Sequence, residues 1–247
     1  MSLRLSSSLA AGVLLISSTC VGQVTLTVAA ASDLTDLEAP LATSFGKANP
    51  GTKISWVTAS SAILAQQIQN GAPYDVFLSA NAQYVEQLSS SSKLDADSVR
   101  AYAVGRVAIL WRDGKVHSIS DLTQSTVHFL ALPNPKLAPY GVAAQQALEH
   151  AGIWTAVKGK VVYGENVRQT LQLFESGNAD AVMTSDSLLQ GRKAQLIPAD
   201  WHRPITQKAG IVSGSKNVAA ARKFLDFLVA PAGQAVFAKF GFGGAGT

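Results

Sequence analysis

Apolar and polar positions alternate from Val24 to Val28, where Val24, Leu26 and Val28 are separated by Thr25 and Thr27, the two-residue period of a strand. Ala29, Ala30 and Ala31 follow, then Ser32-Asp33, two residues suited to opening a helix. The period then changes: Leu34, Leu37, Leu41 and Phe45 recur at helical spacing, predicting a helix from Asp33 to about Lys47 that stops at Gly46 and Pro50-Gly51. Pro40 lies inside that pattern and predicts a kink, for which the sequence offers no reason. The unit repeats. A strand over Lys53–Thr58 leads through Ala59-Ser60-Ser61 to a helix carrying Ile63, Leu64 and Ile68, and a strand over Tyr74–Leu78 leads through Ser79-Ala80-Asn81 to a helix carrying Val85 and Leu88. Three successive strand-then-helix units predict a parallel sheet covered by helices, and thus the α/β class.

Past the serine run Ser89–Ser92, a long apolar strand over Tyr102–Trp111 is interrupted at Gly105-Arg106, where the chain is expected to cross into a second lobe. Ser120-Asp121 can cap a short helix there. Strands are predicted over Val127–Leu132, Val161–Tyr163 and Asn178–Met183, with helices after Tyr140-Gly141, after Glu165-Asn166 and at Thr184-Ser185-Asp186. Ile205–Val212 reads as a strand returning to the first lobe. A helix over Asn217–Val229 and a last one opening at Pro231 and ending at Gly241 complete the chain. The expected organisation is a leader at residues 1–22, one lobe from 23–103 with 208–247, and a second from 104–207. Two lobes joined by crossing strands describe a hinged cleft protein that closes on a small ligand.

Composition narrows the class. Charged residues make up 15% of the 247 and hydrophobic residues 47%, which excludes a disordered or coiled-coil chain. The net charge of +4 comes without a basic cluster or basic stripe, so no nucleic-acid partner is expected. Arg4 followed by the apolar run Leu9–Ile16 and the small residues near Gly22 reads as a secretory leader, too short to span a bilayer, with the mature chain starting near Gln23 and carrying +3. The single cysteine, Cys20, falls inside it; lipid attachment at Cys20 is the alternative, against which the preceding Ser-Ser-Thr lacks the expected leucine.

Catalytic patterns are missing: no Gly-x-Ser-x-Gly, no phosphate loop, no His-Glu-x-x-His, and His117, His128, His150 and His202 lack metal-ligand spacing. No catalytic residue and no metal-ligating side chain is assigned. What remains is a set of helix starts, whose unpaired N–H groups and positive dipole end suit an anion. Ser32 and Ser61 stand at two of them in the first lobe, Tyr140 and Val167 at two in the second. Each has an ordinary structural role as well: a cap for a serine, packing for the tyrosine and valine.

These motifs taken in order, Ala29-Ala-Ala-Ser-Asp33, Ala59-Ser-Ser-Ala-Ile-Leu64, Asn70–Ala80, Pro139-Tyr-Gly141, Glu165-Asn-Val-Arg168 and Phe240-Gly-Phe242, resemble the periplasmic molybdate-binding proteins of ABC importers over nearly the whole mature chain. The resemblance implies a type II two-lobe fold, each lobe a mixed, mostly parallel sheet flanked by helices. It implies a secreted periplasmic monomer that takes molybdate or tungstate, without further cofactor, and hands it to a membrane permease, the metal being held only as its oxyanion. It implies that Ser32 and Ser61 each offer hydroxyl and backbone N–H, and Tyr140 and Val167 backbone N–H. One position departs: where some members place a tyrosine hydroxyl, this chain has Met183, so that Thr184 or Ser185 substitutes or the site has one donor fewer.

A pocket of donors alone suits a full dianion and disfavours protonated phosphate, which needs an acceptor. Asp33 is the nearest acceptor, and its carboxylate is expected to turn toward its own helix. The rival readings are a binder of sulfate or phosphate, a secreted hydrolase with Ser32 or Ser61 as nucleophile, which lacks a positioned base, and the ligand-sensing domain of a regulator, which would normally follow a DNA-binding helix pair.

Overall fold

The strand-then-helix units form with their ends shifted by side-chain anchors. The computed structural model describes residues 23–115 and 117–245, so the leader expected at residues 1–22 and Cys20 lie outside the described residues. β1 (Val24–Ala31) passes directly into a 3-10 turn, Ser32–Leu37, and then into α1 (Glu38–Ala48). The expected single helix from Asp33 is thus two segments, and Pro40 falls in the first turn of α1, where its missing N–H costs no helical hydrogen bond. β2 (Thr52–Ala59), α2 (Ser61–Gln69), β3 (Val76–Ser79) and α3 (Ala82–Ser90) follow. β3 begins later than expected because Asp75 is engaged elsewhere: its carboxylate accepts from the Thr27 N–H at 2.8 Å, the Ser215 hydroxyl at 2.6 Å and the Asn217 amide.

β4 (Arg100–Gly105) and β5 (Val107–Trp111) are separate strands in different sheets, with Arg106 between them. A 3-10 turn, Ile119–Thr123, is capped by Ser118 with Asp121 rather than by Ser120. Then come β6 (Leu130–Pro133), α4 (Pro139–His150), α5 (Trp154–Val157), β7 (Val161–Gly164), α6 (Val167–Glu175), β8 (Ala181–Ser185), a 3-10 turn Asp186–Leu188 and β9 (Gln195–Leu196). β6 starts at Leu130 rather than Val127 because the Asp180 carboxylate takes the N–H groups of His128 and Phe129, at 2.7 and 2.9 Å. β10 (Ile205–Ile211) returns to the first sheet, and α7 (Val218–Val229), α8 (Pro231–Lys239) and β11 (Gly243–Gly244) complete the chain.

The first sheet has the order β11-β4-β10-β3-β1-β2 and the second β7-β6-β8-β5-β9. Parallel pairing is confined to β2-β1-β3 in the first and β7-β6-β8 in the second; the remaining pairs are antiparallel, so the parallel share is smaller than expected. Those parallel parts are where strands are followed by helices, and their carboxyl ends are the usual place for a ligand in such sheets. Apolar clusters cover both faces of the first sheet, one built on Leu26, Leu41, Phe45 and Phe224, the other on Leu64, Ile68, Phe77 and Leu88. The second lobe packs Ile109, Leu130, Leu148, Leu171 and Met183. Among the described residues no helix is long and apolar enough to cross a membrane.

Candidate functional site

Four helical segments start where the two lobes meet. In α2 the cap is Ser60, whose Oγ accepts from the Ile63 N–H at 3.4 Å, and this makes Ser61 the first helical residue. The Ser61 Oγ accepts the Ala80 N–H at 3.1 Å, which uses a lone pair and leaves its own O–H to donate. Ser32 opens the 3-10 turn after β1; Ala31 occupies the cap position, so the capping role expected for Ser32 is not taken, and among the described residues its hydroxyl has no partner. Tyr140 is the second residue of α4, after Pro139. Val167 is the first residue of α6, behind the cap Asn166, whose Oδ1 accepts from the Gln169 N–H at 2.9 Å. N–H groups in these first turns have no partner inside their own helix and carry the positive end of its dipole.

Ser32, Ser61, Tyr140 and Val167 line one small cavity together with Ala31, Asp33, Ser60, Ala80, Ala138 and Pro139, leaving about 10 Å³ for the centre of a water-sized sphere. That is about the space a single water needs. Two residues from each lobe therefore surround one point. The side chains do not all face it: the Val167 side chain is in the apolar core, and the Tyr140 ring is buried away in a polar cluster. A larger hollow of about 530 Å³ lies near the start of β1, but the Asp75 carboxylate in it is already satisfied by the donors named above.

β8 adds no donor to the cavity lining. Met183 is fully buried in the core and pairs with Ile109; the Thr184 hydroxyl donates to the Val167 carbonyl at 3.1 Å; the Ser185 hydroxyl shares a 2.8 Å hydrogen bond with Ser187. Thr184 instead holds the start of α6, through the Val167 carbonyl. None of the histidines lines the cavity: His117 meets Asp113 at 2.8 Å, His150 stacks on Trp201, the His202 ring meets the Arg203 carbonyl, and the His128 N–H goes to Asp180.

Asp33 departs in part from expectation. Its carboxylate meets its own backbone N–H at the start of the 3-10 turn, but Oδ2 also reaches across the lobes, accepting the Tyr140 hydroxyl at 2.8 Å and a hydrogen bond from the Gln207 Nε2. Tyr102 donates to the Gln207 Oε1 at 2.6 Å, and the Ser187 hydroxyl donates to the Asp33 carbonyl at 2.6 Å. This buried cluster joins the first lobe to the second directly behind the cavity. Gly105 is required for it, since a Cβ there would stand 2.1 Å from the Tyr140 Oη. Burial pushes the Asp33 carboxyl up from 3.8 to about 6, against the opposing pull of its hydrogen bonds from Gln207, Tyr140 and its own backbone N–H. Burial also pushes the Tyr140 and Tyr102 hydroxyls well up, with the Asp33 charge acting in the same direction.

Gln207 and Tyr102 were not among the residues singled out from the sequence. A signal for Gln207 was present: it falls on the buried face of β10, in phase with Ile205, Ala209 and Ile211. The pairing of β10 with β4 shifts between Gln207 and Lys208, a bulge of the kind that re-aims a side chain.

Residues 26–243 match the family profile described as bacterial extracellular solute-binding protein. The chain is similar to the molybdate-binding protein ModA of Azotobacter vinelandii, 33% identical over 97% of each chain, and to that of Haemophilus influenzae, 31% identical over 88% of this chain and 89% of the relative. Among solved structures it superposes on the Azotobacter vinelandii periplasmic molybdate-binding protein with a TM-score of 0.81 at 28% identity, covering 88% of this chain and 98% of that one.

Proposed function

The chain belongs to the bacterial extracellular solute-binding proteins, and from that premise we propose that it captures molybdate or tungstate between its lobes and delivers it to the membrane permease of an ABC importer. The observation that carries this reading is the convergence of Ser32, Ser61, Tyr140 and Val167 on one small cavity. Hydroxyl and backbone N–H donors from four helical starts would surround a tetrahedral dianion without a counter-charge. With no donor from β8 among the lining residues, the site holds one O–H fewer than relatives that carry a tyrosine there. Delivery to a permease places the protein outside the cytoplasmic membrane, acting as a single copy of the chain.

Binding is favoured over hydrolysis because a serine nucleophile needs a base within hydrogen-bond reach. Ser61 is already fixed by the Ala80 N–H, and none of the four histidines lines the cavity. Sulfate and phosphate remain the anions to compare. A thermal-shift panel of molybdate, tungstate, sulfate and phosphate is expected to stabilise the protein strongly only with the first two. An anion present at about 100 times its Kd adds roughly 2.7 kcal/mol. A phosphate shift as large as that for molybdate would overturn the reading.

Ser32→Ala and Ser61→Ala separate donor loss from structural loss. Each removes one hydrogen bond to an anion, worth about 1.5–3 kcal/mol, or roughly one to two decades in Kd by calorimetric titration. Ser32→Ala is expected to leave the denaturant midpoint almost unchanged. Ser61→Ala also strands the buried Ala80 N–H and is expected to cost about 1–3 kcal/mol of stability.

A further inference from the structure

Asp33 is an anomaly in a site for anions. It follows Ser32, lines the same cavity and is 1% exposed. Its two oxygens differ. Oδ2 is held by Tyr140 and Gln207, while Oδ1 is buried with no partner from another residue, one of three such side-chain atoms among the described residues; the nearest donor left to the carboxyl is the Asp33 backbone N–H itself. A buried orphan oxygen is costly and calls for a partner. Since the Tyr140 hydroxyl and the Gln207 amide occupy Oδ2, Oδ1 is the corner of the carboxyl group that no other residue holds.

The titratable groups on the elements around Asp33 offer no neutralising cation. Tyr140 and Tyr102 are neutral hydroxyls. Arg168 on α6 is paired with Asp36 at 3.7 Å, Lys208 on β10 with Glu86 at 2.6 Å, and Glu38 at the start of α1 accepts from Thr58. Asp186, in the 3-10 turn after β8, is an acid itself raised by burial, with Arg106 acting on it in the opposite direction. An ionised Asp33 beside a bound dianion would set like charges together in a space from which water is excluded, where repulsion is weakly screened.

We propose that Asp33 enters the anion site as a neutral carboxylic acid, protonated on Oδ1 and donating that O–H to the bound oxyanion, in place of the hydroxyl that β8 does not supply. The inference rests on the oxyanion-binding reading above. The proton comes from solvent as the anion enters; no covalent bond is made or broken. Burial alone already brings the carboxyl to about 6, and a dianion alongside raises it further, so uptake is expected through the neutral range. Protonation also preserves the rejection of protonated anions, because the acceptor they would need is occupied by its own proton.

The test is calorimetric titration of the mature protein with sodium molybdate between about pH 5.5 and 8.5, in paired buffers of different ionisation enthalpy. Wild type is expected to take up close to one proton per molybdate at the alkaline end. Its Kd should weaken about tenfold per pH unit above the carboxyl's free value, or on the order of fifty- to a hundred-fold from pH 5.5 to 8. Asp33→Asn, which keeps an N–H donor and cannot ionise, is expected to bind with a flat profile and no proton uptake. Tight molybdate binding with no proton uptake and no pH slope in wild type would overturn the inference while leaving the oxyanion reading intact. So would an Asp33→Asn variant that keeps the slope. Tight phosphate binding at alkaline pH that vanishes in Asp33→Asn would make the carboxylate an acceptor and reverse the assignment. Failure to bind molybdate at any pH would remove both readings. Should Asp33→Asn not fold, proton uptake by wild type decides alone.

Discussion

Gly141→Ala is expected to lose stability and anion binding together. Gly141 is the third residue of α4, and a Cβ there would stand 2.2 Å from the Pro133 carbonyl oxygen and 2.8 Å from the Pro135 nitrogen. Both are backbone atoms, one at the end of β6 and one in the turn after it, so no flexible side chain can move aside. Either the start of α4 lifts or the turn shifts. Overpacking of this kind costs about 1–3 kcal/mol, and more where the backbone must give. Lifting α4 also moves Tyr140 away from the cavity it lines and pulls its hydroxyl off Asp33. Denaturant unfolding should show a loss of about 3 kcal/mol, and titration with molybdate a loss larger than that of Ser32→Ala, on the order of two decades or more. A Gly141→Ala protein with wild-type midpoint and affinity would mean that α4 does not depend on this close approach.

The second large effect is on stability against pH. Asp33 keeps its proton up to about pH 6 in the folded protein and to about 3.8 when unfolded. Below both values the two states are protonated alike. Between them the folded state holds a proton that the unfolded state has released, so Asp33 makes the fold less stable as pH rises. Above about 6 the whole penalty, roughly 3 kcal/mol, is in place. Other carboxylates titrate in the same range, so the measured quantity is the difference between Asp33→Asn and wild type. That difference should swing in favour of the variant by about 2.4 kcal/mol between pH 4 and 7, followed by urea unfolding in the absence of anion. A difference that stays constant with pH would show that Asp33 titrates alike in both states.

Much of the fold and of the cavity was legible in the sequence because both are local. A two-residue period that becomes a helical one across Ala29–Asp33 marks a strand end and a helix start within ten residues, and the same transition marks Ser61. What was not legible is long-range. Asp33 is 107 positions from Tyr140 and 174 from Gln207, and no local pattern says that their side chains meet. Tyr140 was singled out for its N–H, and its hydroxyl has a separate structural use. Ser60 and Ser61 are interchangeable to propensity; the Ala80 N–H distinguishes them only once β3 lies beside α2. Pro40 made sense only when the 3-10 turn before it moved the first α-helical turn to its position.

The order of strands in the first sheet has a consequence for how the chain assembles. Every strand of the second sheet comes from the contiguous stretch between Val107 and Leu196, so that lobe has all its parts once this stretch is made. The first lobe does not. β10 sits between β3 and β4, and its residues lie far along the chain from both neighbours. The segment that begins folding first on paper is therefore completed last in time: β1, β2 and β3 wait with an unpaired edge until residues 205–211 emerge from the ribosome. Pairing across such separations is slow, and the waiting edge is a site for mispairing. A truncated chain ending before β10 would lose the lobe that bears Ser32 and Ser61 and keep the complete set of strands for the other.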